Sequence, residues 1–503
     1  MKKPLFVLMF AFIGLSGNAQ FHQQGKLVGS GVSDTTDQGQ SVAISADGNT
    51  AIIGGYKDNN GIGAAWIFTR SNGIWTQQGN KLVGSDAVGT SGQGLSVSIS
   101  ADGNTAIVGG PYDNTDTGAV WIFTRTGGVW LQQGSKLVGS GGSGLIGALQ
   151  GSSVSISGDR NTAIVGGPTD NHFVGAVWVY TNSGGVWTQQ GNKLVGTGIV
   201  GVGTKIGISV SLSYDGNTAI AGGYGDSSSH GAGWIFTRSS GVWTQQGNKL
   251  VGTGGIAEGC EQGESVSISA DGNTAIIGGI ENYTNNTGAA WVFTRSAGVW
   301  TQQGNKLVGS GSIGSNPYEG SSVSLSYSGD TAVFGGRHDN FDNVSSDSYG
   351  ATWIFTRSGG VWSQLENKLL NSNAYQANQG TSVCISSDGS TIIVGGPGDN
   401  NDIGAAWIYS TQASGFEEIN KINAVLDIYP NPTSGTFTLS YNSQLSILNS
   451  QLKIYDVLGQ EVYTQSITNP NQTTITVSQL SNGVYFYKLT NNKETYRGKF
   501  VKE

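Results

Sequence analysis

One sequence unit recurs seven times along the chain, and the aspartate of its tight turn falls at Asp47, Asp102, Asp159, Asp215, Asp271, Asp330 and Asp388, in steps of 55, 57, 56, 56, 59 and 58 residues. A fixed period in this range identifies a repeat architecture, because one such unit cannot bury its own apolar face and must stack on copies of itself. Within the unit the apolar pattern has period two. In residues 96–100 (SVSIS), 105–110 (TAIVGG), 119–125 (AVWIFTR) and 129–139 (VWLQQGSKLVG), β-branched and aromatic residues alternate or run together between turn signals. These are four strands, the first two joined at Asp102-Gly103-Asn104 and the last two at Gly127-Gly128, where glycine supplies the positive φ of a tight hairpin. Four-stranded antiparallel units repeated radially predict an all-β fold, a seven-bladed β-propeller.

The ends of the repeat region are offset. The region opens at residues 21–29 with a fourth strand, carrying Phe21 where later copies have tryptophan, and closes at residues 405–410 with a third strand. The N-terminal strand is therefore expected to complete the last blade and lock the ring.

Residues 1–19 combine Lys2 and Lys3, an apolar run over residues 5–15 and the small-residue site Gly17-Asn18-Ala19, the pattern of a secretory signal peptide. No cysteine follows that would anchor a lipoprotein, and no other apolar run is long enough to span a membrane. The propeller is expected over residues 20–410, a polar linker over 411–423, and a domain of different texture over 424–503. Charged residues make up only 12% of the chain against roughly 25% in average globular chains. The strict strand alternation nevertheless argues for order. A net charge of −8 argues against a nucleic-acid partner, which would require a basic face.

All 13 tryptophans occupy two repeat positions: Trp66, Trp121, Trp178, Trp234, Trp291, Trp353 and Trp407 on third strands, and Trp75, Trp130, Trp187, Trp243, Trp300 and Trp362 on fourth strands. A residue present in every copy is expected to pack between blades, as are the paired glutamines such as Gln77-Gln78; a sugar-stacking platform is the competing reading. Cys260 and Cys384 fall in different blades and are not expected to pair.

The order GxSVSIS, short hairpin, VGGP, GAVWIF, WxQQxxKL resembles the bacterial FG-GAP repeats, relatives of the integrin α propeller, with Gly109-Gly110-Pro111 and Gly166-Gly167-Pro168 where that family has Gly-Ala-Pro. The resemblance covers all seven units and implies a seven-bladed propeller of the kind found in surface and adhesion proteins. The calcium sites of integrin blades are not implied, since the hairpin SADGNT is too short to wrap an ion that needs six to eight oxygens.

The tail reads as a small β-sandwich with strands near residues 437–441, 452–455, 474–477 and 484–489. Tyr429-Pro430-Asn431-Pro432 with Gly435, Ile454-Tyr455-Asp456 with Gly459, Gly483-Val484-Tyr485-Phe486, and Lys499 to Lys502 at the end of the chain together resemble the type A C-terminal sorting domain of type IX secretion. That resemblance implies passage through an outer membrane by the type IX machinery, removal of the tail, and surface attachment or release.

Catalysis on a symmetric ring should show as residues that break the repeat. There is no nucleophile elbow, P-loop or metal-spaced His or Cys cluster in the sequence, and His172, His230 and His338 fall in loops of different blades. The expectation is a monomeric binding protein, adhesin-like, for a glycan or protein ligand, without a cofactor. A propeller glycosidase and a purely structural surface protein are the alternatives. Short hairpins alternate with variable loops, and the two variable sets should share one face. Charges there are uneven: Glu258, Glu261, Glu264 and Glu281 around the fifth unit, and Glu319, Asp339, Asp342 and Asp347 in the sixth. These predict an acidic sector that recruits a cation, such as calcium held by loops, or a basic partner.

Overall fold

The structure is a computed structural model that describes residues 20–33, 35–144, 147–255, 259–280, 287–314, 316–342, 347–411, 426–441, 450–456, 459–467, 473–490 and 495–503. The expected signal peptide and most of the expected linker lie outside the described residues. The chain divides into two compact units, residues 1–411 and 412–503.

Seven four-stranded antiparallel sheets build the first unit. Sheet 2 shows how: Ser96–Ile99, Thr105–Gly110, Ala119–Thr126 and Val129–Gln132 run innermost to outermost. Sheet 1 precedes it from Ser41–Ile44, and sheets 3 to 7 follow with inner strands Ser153–Ile156, Ser209–Leu212, Ser265–Ile268, Glu319–Leu325 and Ser382–Ile385. The second strand is buried along its whole length, which explains its near-continuous apolar run. At the first hairpin Asp102 Oδ1 accepts hydrogen bonds from Ser100 Oγ (2.6 Å) and Asn104 N (3.0 Å), while Gly103 takes φ 66°. Burial opposes ionisation of Asp102, but these bonds outweigh it and hold its pKa below the usual carboxylate value.

Each inner strand would leave an unpaired edge. The alternating serines of SVSIS resolve this: Ser98 Oγ accepts Ile156 N, Ser155 Oγ accepts Leu212 N, and Ser267 Oγ accepts Leu325 N, each from the next sheet. Cys384 holds the same repeat position in sheet 7 beside the Ile44 amide of sheet 1, and burial raises its thiol pKa. It takes the place of a linking serine. Cys260 and Cys384 are not bridged to each other.

The inner strands contact one another in order and the seventh meets the first. Parallel bridges repeat between successive sheets, from Gly63↔Gln93 through to Gln38↔Gly404, which joins sheet 7 to sheet 1. The N-terminal strand Phe21–Leu27 pairs antiparallel with Ala405–Thr411 as the fourth strand of sheet 7. The architecture is propeller-like.

The third-strand tryptophans are fully buried, and the cores lie between sheets: Ile52 and Ile67 of sheet 1 pack with Trp121 and Phe123 of sheet 2. Burying one such side chain is worth roughly 4–6 kcal/mol. The outer tryptophans serve a clamp. Gln78 Oε1, from sheet 1, accepts both Arg125 Nη1 and Trp130 Nε1 of sheet 2 at 3.0 Å, with the guanidinium 5.3 Å from the indole centroid. Tryptophans and glutamine pairs are therefore packing and bolting elements.

The tail forms a three-stranded and a four-stranded sheet around one core that includes Phe437, Leu452, Ile454 and Phe500. Three of its strands, Leu426–Tyr429, Glu461–Ile467 and Thr495–Lys502, fall outside the four expected from sequence. They carry charged or polar residues, Asp427, Glu461 and Gln465, and Arg497 and Lys499, and pairing with neighbours defines them.

Candidate functional site

The two ends of the central channel differ. At the hairpin end, Ala46, Ala101, Gly158, Tyr214, Ala270, Tyr327 and Ser387 hold equivalent positions around a constriction. Backbone hydrogen bonds run from Tyr214 to Ala270, Ala270 to Tyr327, Tyr327 to Ser387, Ser387 to Ala46 and Ala46 to Ala101. Tyr214 and Tyr327 meet edge to face over it, ring centroids 5.6 Å apart. Hydrogen-bonded backbone and the two edge-to-face rings narrow this end.

The opposite end opens into a funnel of 540 Å³. It is built by two repeat positions. Before each inner strand stands a turn, Xaa-Gln-Gly in five of the seven copies, whose first residue is left-handed: Asp37, Gly92, Leu149, Lys205, Glu261, Tyr318 and Asn378, with φ between 49° and 65°. Only one is glycine, and such strain held by surrounding structure gathers at functional rims. After each second strand the chain leaves Gly-Gly through a variable residue, here Tyr56, Pro111, Pro168, Tyr224, Ile280, Arg337 and Pro397. Lys205 from the first set and Tyr224 and Arg337 from the second line the same funnel with Glu264, so the two variable loop sets do meet on one face.

The charged groups there break the repeat. Lys205 Nζ donates to the Tyr224 hydroxyl and lies 4.5 Å from that ring's centroid. Arg337 is half-buried over the Tyr318 ring at 5.7 Å; among the described residues its guanidinium makes no hydrogen bond or ion pair. Glu264 is partly exposed, yet the funnel wall desolvates it and raises its pKa; Arg337 and Lys205 pull the other way and Glu261 adds to the rise. Sequence reasoning missed Lys205, Tyr224 and Arg337. The signal was present: Arg337 stands where three copies have proline, and Lys205 precedes the only copy of the turn with Ile206 in place of Gln or Glu.

The expected acidic sector is corrected by burial. Asp339 is fully buried, accepts Ile313 N at 2.7 Å and pairs with Lys368. It is the sixth copy of a repeated tie, Asp58–Lys81, Asp113–Lys136, Asp170–Lys193, Asp226–Lys249 and Asp399–Lys26, not a special loop charge. Glu319 is fully buried at the turn position that five other copies fill with glutamine. Its Oε2 accepts Gly309 N at 2.5 Å, and desolvation pushes its pKa up to about 8, so it is a neutral acid at pH 7. Asp342 and Asp347 oppose each other in the ladder Phe341–Asp342 with Asp347–Ser348. Glu261 lies on the strained rim and Glu264 in the funnel, while Glu258 and Glu281 lie outside the described residues. Among the described residues no three His, Cys, Asp or Glu side chains converge as a metal site.

In the tail, motifs far apart in sequence converge. Asn431 Oδ1 accepts Val501 N at 2.9 Å, and Thr433 N donates to Val501 O at 2.8 Å. Gly483 pairs with Lys502 and Phe486 with Lys499. Tyr429, Pro430 and Pro432 are exposed, Gly435 accepts Val477 N, and Gly459 turns at φ 79°.

Residues 427–503 match the family described as secretion system C-terminal sorting domain. The tail is thus a type IX sorting domain, which indicates export to the cell surface or the medium and engagement of the secretion machinery. No helix among the described residues is long and apolar enough to cross a membrane. No curated protein matches the chain. Among solved structures it is similar to hydrazine synthase of Kuenenia stuttgartiensis, at 14% identity and TM-score 0.47, over 76% of this chain and 98% of that one. It is also similar to the periplasmic gluconolactonase PpgL of Pseudomonas aeruginosa, at 16% identity and TM-score 0.42, over 67% of this chain and 86% of that one.

Proposed function

We propose that the exported chain is a ligand-binding protein of the cell surface or medium, adhesin-like, built on a seven-bladed FG-GAP-like propeller whose ligand enters the loop-face funnel. The observation that carries this reading is the concentration of repeat-breaking residues, Lys205, Tyr224, Glu264 and Arg337, in one 540 Å³ cavity opposite a narrowed channel end. That volume falls within the roughly 300–1,000 Å³ of small-molecule sites. The cyclic order of the inner strands and the seven sheets support the blade count and the FG-GAP resemblance.

A propeller glycosidase is the second reading. It requires two carboxyl groups about 5–9.5 Å apart. Among the described residues that line the funnel, Glu264 is the single carboxyl group, which favours binding over hydrolysis. The test is an array of glycans and extracellular-matrix proteins probed with the secreted protein, alongside generic glycosidase substrates. Saturable binding without turnover supports the proposal. Turnover selects the glycosidase, and absence of both selects a structural surface protein.

A further inference from the structure

We propose that the loop-face funnel binds a singly charged acidic sugar, with Arg337 receiving its carboxylate and Lys205 as a second cation of the same cavity. The inference rests on the binding reading above and names its ligand class. Among the described residues that line the funnel, two cations, Lys205 and Arg337, face one carboxyl group, Glu264, with Glu261 on the rim, so the lining suits a singly charged anion better than a doubly charged one.

Arg337 supplies the strongest indication. A half-buried guanidinium with no hydrogen bond or ion pair among the described residues presents a planar fork of donors to the cavity. That fork matches a carboxylate in two parallel bonds. The Tyr318 ring lies 5.7 Å from the guanidinium carbon and supports it by a cation–π contact. Lys205, in the turn before the inner strand of sheet 4, is held by its left-handed backbone at φ 59° and by its bond to the Tyr224 hydroxyl.

The rest of the lining suits a hydroxyl-rich ring. Ser152, Ser321, Thr381 and Gln40 occupy equivalent positions; the three hydroxyls donate to the carbonyls of Leu149, Gly335 and Asn378 and keep oxygen lone pairs for sugar hydroxyls, while Gln40 adds an amide. Tyr112 and Phe173, residues 39% and 42% exposed, line the funnel and offer aromatic surface to the face of a pyranose.

The experiment is titration of the secreted protein with D-glucuronate, D-glucose and D-glucose 6-phosphate, by calorimetry and ligand-observed NMR. Glucuronate should bind at least tenfold more tightly than glucose. R337M and K205M should each lose that preference at least tenfold while melting within a few degrees of the parent, because among the described residues neither side chain makes an ion pair. If K205M unfolds through loss of its Tyr224 bond, R337M alone decides. Equal binding of glucose and glucuronate, unchanged affinity in R337M, or tenfold tighter binding of the phosphate overturns the proposal. No binding of any of the three also overturns it, and a neutral ligand found on the array would then leave the binding function standing without this ligand class.

Discussion

Lys26 Nζ stands 2.5 Å from Asp399 Oδ2, joining the first strand of the ring to the last sheet. Every other lysine of this repeated tie follows the outer strand of its own sheet; in sheet 7 that strand comes from the N-terminus. The neighbouring roles are filled from the same strand. Gln23 Oε1 accepts Ser372 N at 2.8 Å, as Gln132 does from Ser85, and Phe21 takes the tryptophan position. The offset of the repeat is thus reproduced bond by bond at the closure.

Removing Lys26 should therefore leave Asp399, whose side chain is 2% exposed, charged and uncompensated. K26M is expected to cost about 3 kcal/mol, since stranding one member of a buried pair is worth roughly 3–5 kcal/mol before allowance for the partial exposure of Lys26. Deletion of residues 21–27 should go further, baring the Ala405–Thr411 edge and promoting aggregation. Denaturant melts and light scattering measure both; parental stability in the deletion would refute closure by this strand.

Glu319 should make stability fall with pH. Its folded pKa of about 8 lies above the reference value of 4.5, so the folded state holds a proton that the unfolded state releases. Stability is full below about 4.5, declines as pH rises towards about 8, and is flat beyond, with a total change on the order of a few kcal/mol. E319Q restores the amide found at Gln262, whose Nε2 donates to Gly252 O at 3.0 Å. Melting temperature against pH should show the variant gaining on the parent at pH 8 and not at pH 4.

Gly84 should tolerate no side chain. A Cβ there would lie 2.1 Å from Cδ1 of the fully buried Trp121, and the same closeness recurs at Gly139 with Trp178 and Gly252 with Trp291. G84A is expected to destabilise by about 1–3 kcal/mol through overpacking. An unchanged thermal midpoint would show that the indole can move aside.

Deleting residues 427–503 should leave a folded first unit that stays in the periplasm, because the sorting domain has its own core. Cell fractionation with a protease-protection readout decides. Normal surface display of the truncated chain would separate export from this domain.

Period-two alternation, glycine-marked hairpins and a repeat offset by one strand determined the four-stranded units and the N-terminal strand that pairs into the last of them. Each is a local pattern, or a relation between copies, readable along the chain. The four ordered motifs likewise determined the sorting domain. What the tertiary structure decided was the environment of each charge. Asp339 and Asp170 look unlike in their loops, yet both are buried against a lysine beyond the outer strand, and Glu319 becomes a neutral stand-in for glutamine only where the sheets exclude water. Lys205, Glu264 and Arg337 lie in three successive repeats and share one funnel because the turns before inner strands and the exits from second strands converge on the ring axis. Desolvation and charge pairing depend on neighbours supplied by other sheets, so their outcome follows from packing and not from spacing.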